Sequence, residues 1–426
     1  MSIKSTASAS TAEHETTNPA HQFGGKPPVY GWVVVFTMML IQTVSSGLGF
    51  YNMSVYINRL SEELVLPLAQ TSLAVTIYFI VSGIGGLFVA HLLQRFSIRL
   101  VMIGGALIAA TALGSIGMTT ELWQLYALFA IYGFGSAGIS VVMATTVTTQ
   151  WFPGPERSMA LALTSTGFSL GGVVVTPVSA YWLNAYGLAE AMPMLGVLLL
   201  ACVVPLSVLM RPSPFVASQA SGEQMADNNA NYRRAVGSRF FILMAVAYVL
   251  IMSAQVGGIA HIYSRVQSVA GFEMAAYAVQ ALSISSISGR LLGAWMVARV
   301  STRWFALGNI TMQAFGLAMI ALAPSGVTGV IAACCFGLCV GNLLMTQALW
   351  LAEVYPAEIY PRVFARASAI SVVGMAFGPF LLGWTFDHLG HGSYTLPYLL
   401  AASCSVIALL VVFVASAGRP MSVYRL

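Results

Sequence analysis

The chain has 426 residues, of which 58% are hydrophobic and only 7% charged, and its mean hydropathy is +0.83. A soluble domain is about one-quarter charged, so this composition excludes a water-exposed globular fold and describes a protein embedded in a bilayer. The net charge of +5 is no nucleic-acid signal, because the basic residues stand in short loops between apolar runs, where charge sets orientation.

Residues 1–28 are polar, rich in Ser and Thr, and too poor in apolar residues for a secretory signal; they are read as a disordered tail. After them come twelve segments long enough to cross a hydrocarbon core of about 30 Å. They lie at about 30–57, 70–93, 100–118, 122–149, 158–184, 191–210, 240–264, 274–298, 304–323, 327–350, 364–386 and 395–415. Their continuous apolar runs exclude the alternating strands of a barrel. Residues 211–239 are polar, contain proline and are basic at both ends, and read as a linker between bundles at 29–210 and 240–415, with a tail at 416–426. The five cysteines, Cys202, Cys334, Cys335, Cys339 and Cys404, all fall in apolar runs. They read as small packing residues, not as a disulfide framework or metal site.

Fifteen of the eighteen basic residues fall on one face of this topology, from Lys4 and Lys26 through Arg95, Arg157, Arg211, Arg299 and Arg362 to Arg425. Only Arg59 and Arg265 fall on the other. This bias predicts a multi-pass protein of the cell membrane with both termini in the cytoplasm. The halves also repeat. "HLLQRFSIRLVMIGG" (91–105) lies over "WMVARVSTRWFALGN" (295–309) at an offset of 204, so that Arg95 matches Arg299, Arg99 matches Arg303 and Gly104 matches Gly308. Arg59 and Arg265 correspond at 206, and Arg157 and Arg362 at 205. Parallel repeats around a central cavity are a common plan of secondary transporters.

With "QRFSIR" joining segments two and three and "ARVSTR" joining eight and nine, the chain resembles the major facilitator superfamily. Both loops are similar to degenerate copies of that superfamily's Asp-Arg-x-Gly-Arg-Arg signature, keeping Arg95/Arg99 and Arg299/Arg303 while Gln94 and Ala298 replace the Asp. The resemblance implies an all-α fold of two six-helix pseudo-symmetric bundles, with these arginines in the loops that act during conformational change. "YGWVVV" and "WFPGPERSMALALTSTGFSLGG" resemble, more narrowly, the monocarboxylate-transporter and oxalate:formate-antiporter branch. Glu156 and Ala162 depart from its pattern.

The apolar cores of the segments hold no Asp, Glu or Lys, but segment eight holds Arg290. It stands nine residues before Arg299, hence about 13 Å from the boundary at 1.5 Å per residue, too deep for ordinary snorkelling. A central arginine costs about 2.5–3.5 kcal/mol on the insertion scale and faces a protein interior or a wet cavity. A substrate carboxylate suits its planar, permanently charged fork; the alternative is a guanidinium satisfied by backbone carbonyls and water, locking helices together. Ser283, Ser286 and Arg290 lie within roughly 60° of one another, forming a polar stripe. The resemblance implies that this helix carries a carboxylate-binding arginine with an acid four residues earlier. Here that position is Ser286, so the family's proton-coupling acid is missing, as is the lysine on segment eleven that accompanies oxalate exchange.

Asn342, Tyr132 and Gln42 lie near mid-depth of segments ten, four and one, as cavity candidates or helix-to-helix hydrogen-bonding groups. Tyr51 and His261 fall near the outer ends of segments one and seven, where an interfacial position is expected, with gating or proton coupling as the alternative. "GFGSAG" (133–138) spells the dinucleotide fingerprint but lies inside a helix with no strand before it, so it reads as small residues for close packing. "GMAFGPFLLG" (374–383) reads as packing plus a local helix break. No nucleotide loop, zinc motif, catalytic site or cofactor is indicated. The expectation is a monomeric, non-enzymatic secondary transporter of small organic anions, monocarboxylates first; the resemblance implies proton symport, with the proton on the substrate or His261, and exchange without a proton stays open. An exporter of amphipathic compounds on the same fold and a membrane sensor that moves nothing stay open.

Overall fold

The computed structural model describes residues 29–93, 95–152, 156–213, 231–297, 299–356 and 359–417; the N-terminal tail and most of the linker lie outside them. Segment one is built from α1 (Val29–Ser46), a π-turn (Gly47–Tyr51) and α2 (Met53–Glu63). Segments two and three are α3 (Leu68–Leu92) and α4 (Ile98–Ser115), and segment four is α5 (Leu122–Ala137) followed by α6 (Val141–Trp151). Segments five and six share α7 (Arg157–Val208), and seven and eight share α8 (Arg239–Val297). The remaining four are α9 (Thr302–Leu322), α10 (Gly326–Val354), α11 (Tyr360–His388) and α12 (Thr395–Ala417).

Ten of the described helical runs are long and apolar enough to cross a membrane, and they make twelve crossings. At 52 and 59 residues, α7 and α8 are about 78 and 89 Å long at 1.5 Å per residue, more than twice a core of about 30 Å. Each is broken by one glycine, Gly187 (φ 73°, ψ −179°) and Gly271 (φ 82°, ψ −179°), in backbone space that only glycine enters readily. The left-handed positions also carry the repeat. Val65 (φ 53°) pairs with Gly271, and Gly187 with Gly392 (φ 79°), at the offsets of 206 and 205 that relate Arg59 to Arg265 and Arg157 to Arg362. All four lie in turns at the end opposite the basic loops.

Two local expectations change. Segment four is interrupted at 138–140, where Gly138 ends α5 and Ser140, in extended conformation, starts α6. Segment eleven has no break: α11 runs unbroken through Pro379. Close seating of Gly374 on the Val249 carbonyl and of Gly378 on that of Ser253 holds it against α8. The glycines of "GFGSAG" pack as expected, Gly133 on the Tyr78 backbone and Gly135 on Gly105 and Ala109.

Each end of the linker is tied to its own half. Arg211 stacks over Tyr30 at 4.2 Å, and Trp151 Nε1 donates to the Arg211 carbonyl at 3.2 Å. On the other side Ala235 joins Phe241, Leu351, Tyr355 and Val363 in a small apolar cluster. At the far end, Arg265 closes the last turn of α9, donating to the carbonyls of Ile320 (3.2 Å), Ala321 (3.1 Å) and Ala323 (2.9 Å), at a helix end where carbonyls run out of helical partners. Arg265→Ala should cost about 1–3 kcal/mol, read as a lowered melting temperature in detergent. Arg265→Lys should recover less than half, since one ammonium cannot span three carbonyls.

The halves meet along two antiparallel contacts, segments two with eleven and five with eight. In the first, Ser72 packs on Gly383 and Gly83 on Val372; in the second, Gly172 packs on Ser283, Ser169 faces Ser286 and Ser165 faces Arg290. The two residue numbers of every one of these pairs add to the same total. A two-fold axis relating the repeats requires this, because moving one partner forward by the offset and the other back leaves the total unchanged.

Candidate functional site

The serine stripe of segment eight is buried against segment five of the other half. A Cβ at Gly172 would fall 1.9 Å from Ser283 Oγ and 2.9 Å from Tyr51 Cδ1, so glycine is what allows the two halves to approach here. One turn on, the hydroxyls of Ser169 and Ser286 are 3.3 Å apart. A turn further, Arg290 Nη1 donates to the Ser165 carbonyl at 2.6 Å. Toward the far end Gln280 Nε2 donates to the Val173 carbonyl at 3.2 Å.

Arg290 is incompletely satisfied. Its Nε has no hydrogen-bond partner, and among the described residues the single ion pair is Arg59–Glu62, at 3.3 Å. Its stem lies in a slot made by Gly341, where a Cβ would come 2.4 Å from Cγ and 2.6 Å from Nε. A half-buried guanidinium with one carbonyl partner is costly.

Tyr51 completes the cluster. It is fully buried within the protein, and its hydroxyl lies among those of Ser169, Ser283 and Ser286 with Arg290 nearby, yet makes no hydrogen bond of normal geometry. The π-turn directs it there, with Gly47 seated on the Gly171 carbonyl and Val175, and Gly49 under the Tyr78 hydroxyl. Single π-turns inside helices are frequent at functional sites. The apolar span of segment one ends at Tyr51, and helix continues twelve residues beyond it to Glu63, about 18 Å. His261 is likewise fully buried, since α8 continues to Gly271 before turning. Its Nε2 is 2.9 Å from the Pro379 carbonyl and 3.4 Å from Ser72 Oγ. A carbonyl only accepts, so Nε2 carries the hydrogen and Nδ1 is left bare and unpartnered.

The other candidates divide. Asn342 adjoins Gly341 and donates to the Gly289 carbonyl at 2.9 Å, tying segments eight and ten beside Arg290. Gln42 donates to the Ile139 carbonyl at 3.0 Å, and Tyr132 packs on Tyr78 with ring centroids 4.9 Å apart; both contacts lie within the N-terminal half. At the basic end Arg99 donates to the Met210 carbonyl, Arg95 is exposed, Arg299 stacks on Trp295 and Arg303 lies over Trp304 and Phe413. A separate groove of about 300 Å³ between α3, α4 and α5 is lined by Phe88, Leu92, Phe134 and several glycines, and with no polar side chain it offers an anion nothing. Sequence reading missed Ser165 and Ser169 on segment five and Gly341 on ten. The signal for the first two was present in "STGFSLGG", where Ser165, Ser169 and Gly172 recur at helical spacing.

The family model of the Major Facilitator Superfamily matches residues 39–358 and 281–422. The chain belongs to the Major Facilitator Superfamily. It is therefore a multi-pass membrane transporter and not an enzyme. Curated relatives include the probable nitrate/nitrite transporter NarK2 of Mycobacterium tuberculosis, 22% identical over 363 residues, 82% of this chain and 87% of that one. Monocarboxylate transporter 13 of Rattus norvegicus is 22% identical over 383 residues, 88% and 86% of the two chains. The oxalate:formate antiporter of Oxalobacter formigenes is 25% identical over 205 residues, 47% of each. A solved structure of a mutant of the nucleoside transporter NupG superposes with a TM-score of 0.72 at 13% identity, covering 90% of this chain and all of the other, which speaks for the superfamily fold alone. In that fold the Arg290 cluster stands between the two six-helix halves of the transporter.

Proposed function

We propose that the protein moves small organic anions, monocarboxylates first, across the cell membrane by alternating movement of its two halves, with the basic loops in the cytoplasm. The observation that carries this reading is Arg290: a guanidinium deep in the bundle, at the boundary between the halves, with an orphan Nε and no acid beside it. A carboxylate would take one oxygen on the guanidinium and the other on the orphan Tyr51 hydroxyl, so that both halves hold the same ligand. The solutes for which the relatives are named, nitrate/nitrite, oxalate:formate and monocarboxylate, share a chemistry of small planar oxyanions and support this choice. Proton-driven uptake belongs to the reading, with the proton entering on the substrate or through His261, because Ser286 replaces the acid of the site.

The test is counterflow in proteoliposomes across formate, lactate, oxalate and nitrate, wild type beside Arg290→Ala. A folded Arg290→Ala protein that exchanges anions at the wild-type rate would sink the reading, as would a wild type that moves none of the four. Tyr51→Phe keeps the ring and removes the hydroxyl. It should weaken anion binding about tenfold, the loss of one charge-assisted bond. The ligand-free melting temperature should stay level or rise, because an unsatisfied buried hydroxyl is removed. Thermal shift with and without anion measures both.

A further inference from the structure

At the end opposite the basic loops, two carboxylates reach across between the halves, Glu62 to the Gln267 side chain and Asp387 to the backbone of segment two. Asp387, in the last turn of α11, accepts a hydrogen bond from the Ala69 backbone N–H at 2.6 Å, in the first turn of the 25-residue α3. First-turn N–H groups have no helical acceptor and form the positive end of the helix dipole. Just beneath, Ser72 packs on Gly383 and faces His261. Several charged and titratable groups stand around Asp387, among them His391, exposed in the turn that folds back on the end of α11. From α8 there are the buried His261, donating to Pro379, and Arg265, engaged by three α9 carbonyls. Tyr394 packs on Phe386, with ring centroids 4.3 Å apart. His388 stacks on Trp384, and on α2 Glu62 pairs with Arg59 while also accepting from Gln267 of the other half at 3.1 Å. Among the described residues no cation forms an ion pair with Asp387; a helix end balances its charge.

We propose that Asp387 is an acid-labile latch of the far face, which the charge bias of the loops places outside the cell. Ionised, its carboxylate ties segment eleven to segment two and holds that face shut. Protonated from outside, it loses both the charge-assisted bond and its attraction to the positive helix end, and the contact between segments two and eleven loosens. The latch is one-sided: at the repeat offset of 205, Trp182 stands where Asp387 stands in the other half, so the contact between segments five and eight has no counterpart. External acid then raises the share of outward-open protein without a proton crossing the membrane. Acid-stimulated uptake in this protein would therefore not require an acid in the substrate site. This proposal does not depend on which solute is carried.

Amide hydrogen exchange on the full-length, ligand-free protein in nanodiscs tests it, with rates at each pH normalised to intrinsic exchange. Between about pH 6.5 and about pH 3, a window that spans the ordinary aspartate value of about 3.9, protection should fall together in the first turns of α3 (68–75) and the last turns of α11 (380–388). The expected drop is about tenfold, the loss of one charge-assisted bond. Asp387→Asn should show the low protection at both pH values, with α9 exchange unchanged as the control for global unfolding. His261→Gln should keep the wild-type pH response. Fraying of α3 with α11 unmoved, a pH response that survives Asp387→Asn, or one that vanishes in His261→Gln would each overturn the latch.

Discussion

Arg290→Ala should melt at or above the wild-type temperature in the absence of ligand, while its response to formate, lactate, oxalate and nitrate disappears. The two halves of this result come from one feature. Burying the guanidinium costs about 2.5–3.5 kcal/mol, and what it recovers in the ligand-free protein is one charged hydrogen bond, to Ser165, typically about 1.5–3 kcal/mol. These nearly cancel, so deletion leaves stability close to where it was. An anion changes the balance, because it supplies the missing counter-charge and reaches the orphan Nε. Arg290→Lys keeps the charge but not the planar fork, and should bind anions about 10- to 100-fold more weakly, the loss of one or two charge-assisted bonds. Thermal unfolding in detergent, with and without each anion at constant ionic strength, separates these outcomes. An Arg290→Ala protein that unfolds at markedly lower temperature would make Arg290 a structural tie between segments five and eight.

Gly374→Ala should be among the most damaging single-methyl additions in the chain, and Gly308→Ala among the most harmless. At Gly374 a Cβ would come 2.1 Å from the Val249 carbonyl, and at Gly167, the corresponding crossing of segments five and one, 2.1 Å from that of Met39. Both obstacles are backbone, so the helices themselves must separate, at about 1–3 kcal/mol or more; Gly374→Leu should prevent folding. In a bilayer such close crossings carry helix association, because lipid gives no hydrophobic reward for pairing. Gly104 and Gly308 have nothing within 4 Å of the added atom. Alanine there should stabilise by about 0.8–1 kcal/mol through helix propensity alone. Melting temperatures of the four alanine variants, Gly374, Gly167, Gly104 and Gly308, measure the contrast. The structure offers no packing reason for glycine at the repeat-related pair Gly104 and Gly308.

Much of the architecture is legible in the order of the residues alone. Apolar runs and arginine placement reveal twelve crossings and a repeat, and the left-handed turns at Val65, Gly187, Gly271 and Gly392 fall at the same offsets. The break at 138–140 is not legible, because "GFGSAG" is equally good packing material inside a helix and at its end. The expected break in segment eleven fails for the converse reason: a proline suggests a kink, but Gly374 and Gly378 seat the helix too closely on α8 for it to open. The burial of Tyr51 and His261 is not legible either, because it depends on which helices of the fold cover them.

Arg290, Ser283 and Ser286 share a helical face by spacing alone, and the cost of an unpaired intramembrane charge singles the arginine out. Composition, charge and period are local properties, and they suffice for the span count, the duplication and the one deep cation. Only the tertiary structure decides what that cation meets: the Ser165 carbonyl and Ser169 from more than a hundred residues away, the slot at Gly341, and Tyr51 turned inward by a π-turn. Apolar helices do not encode their neighbours or their rotational phase in hydrophobicity. Both are settled by where glycines let backbones touch and where one extra residue in a turn shifts every side chain that follows.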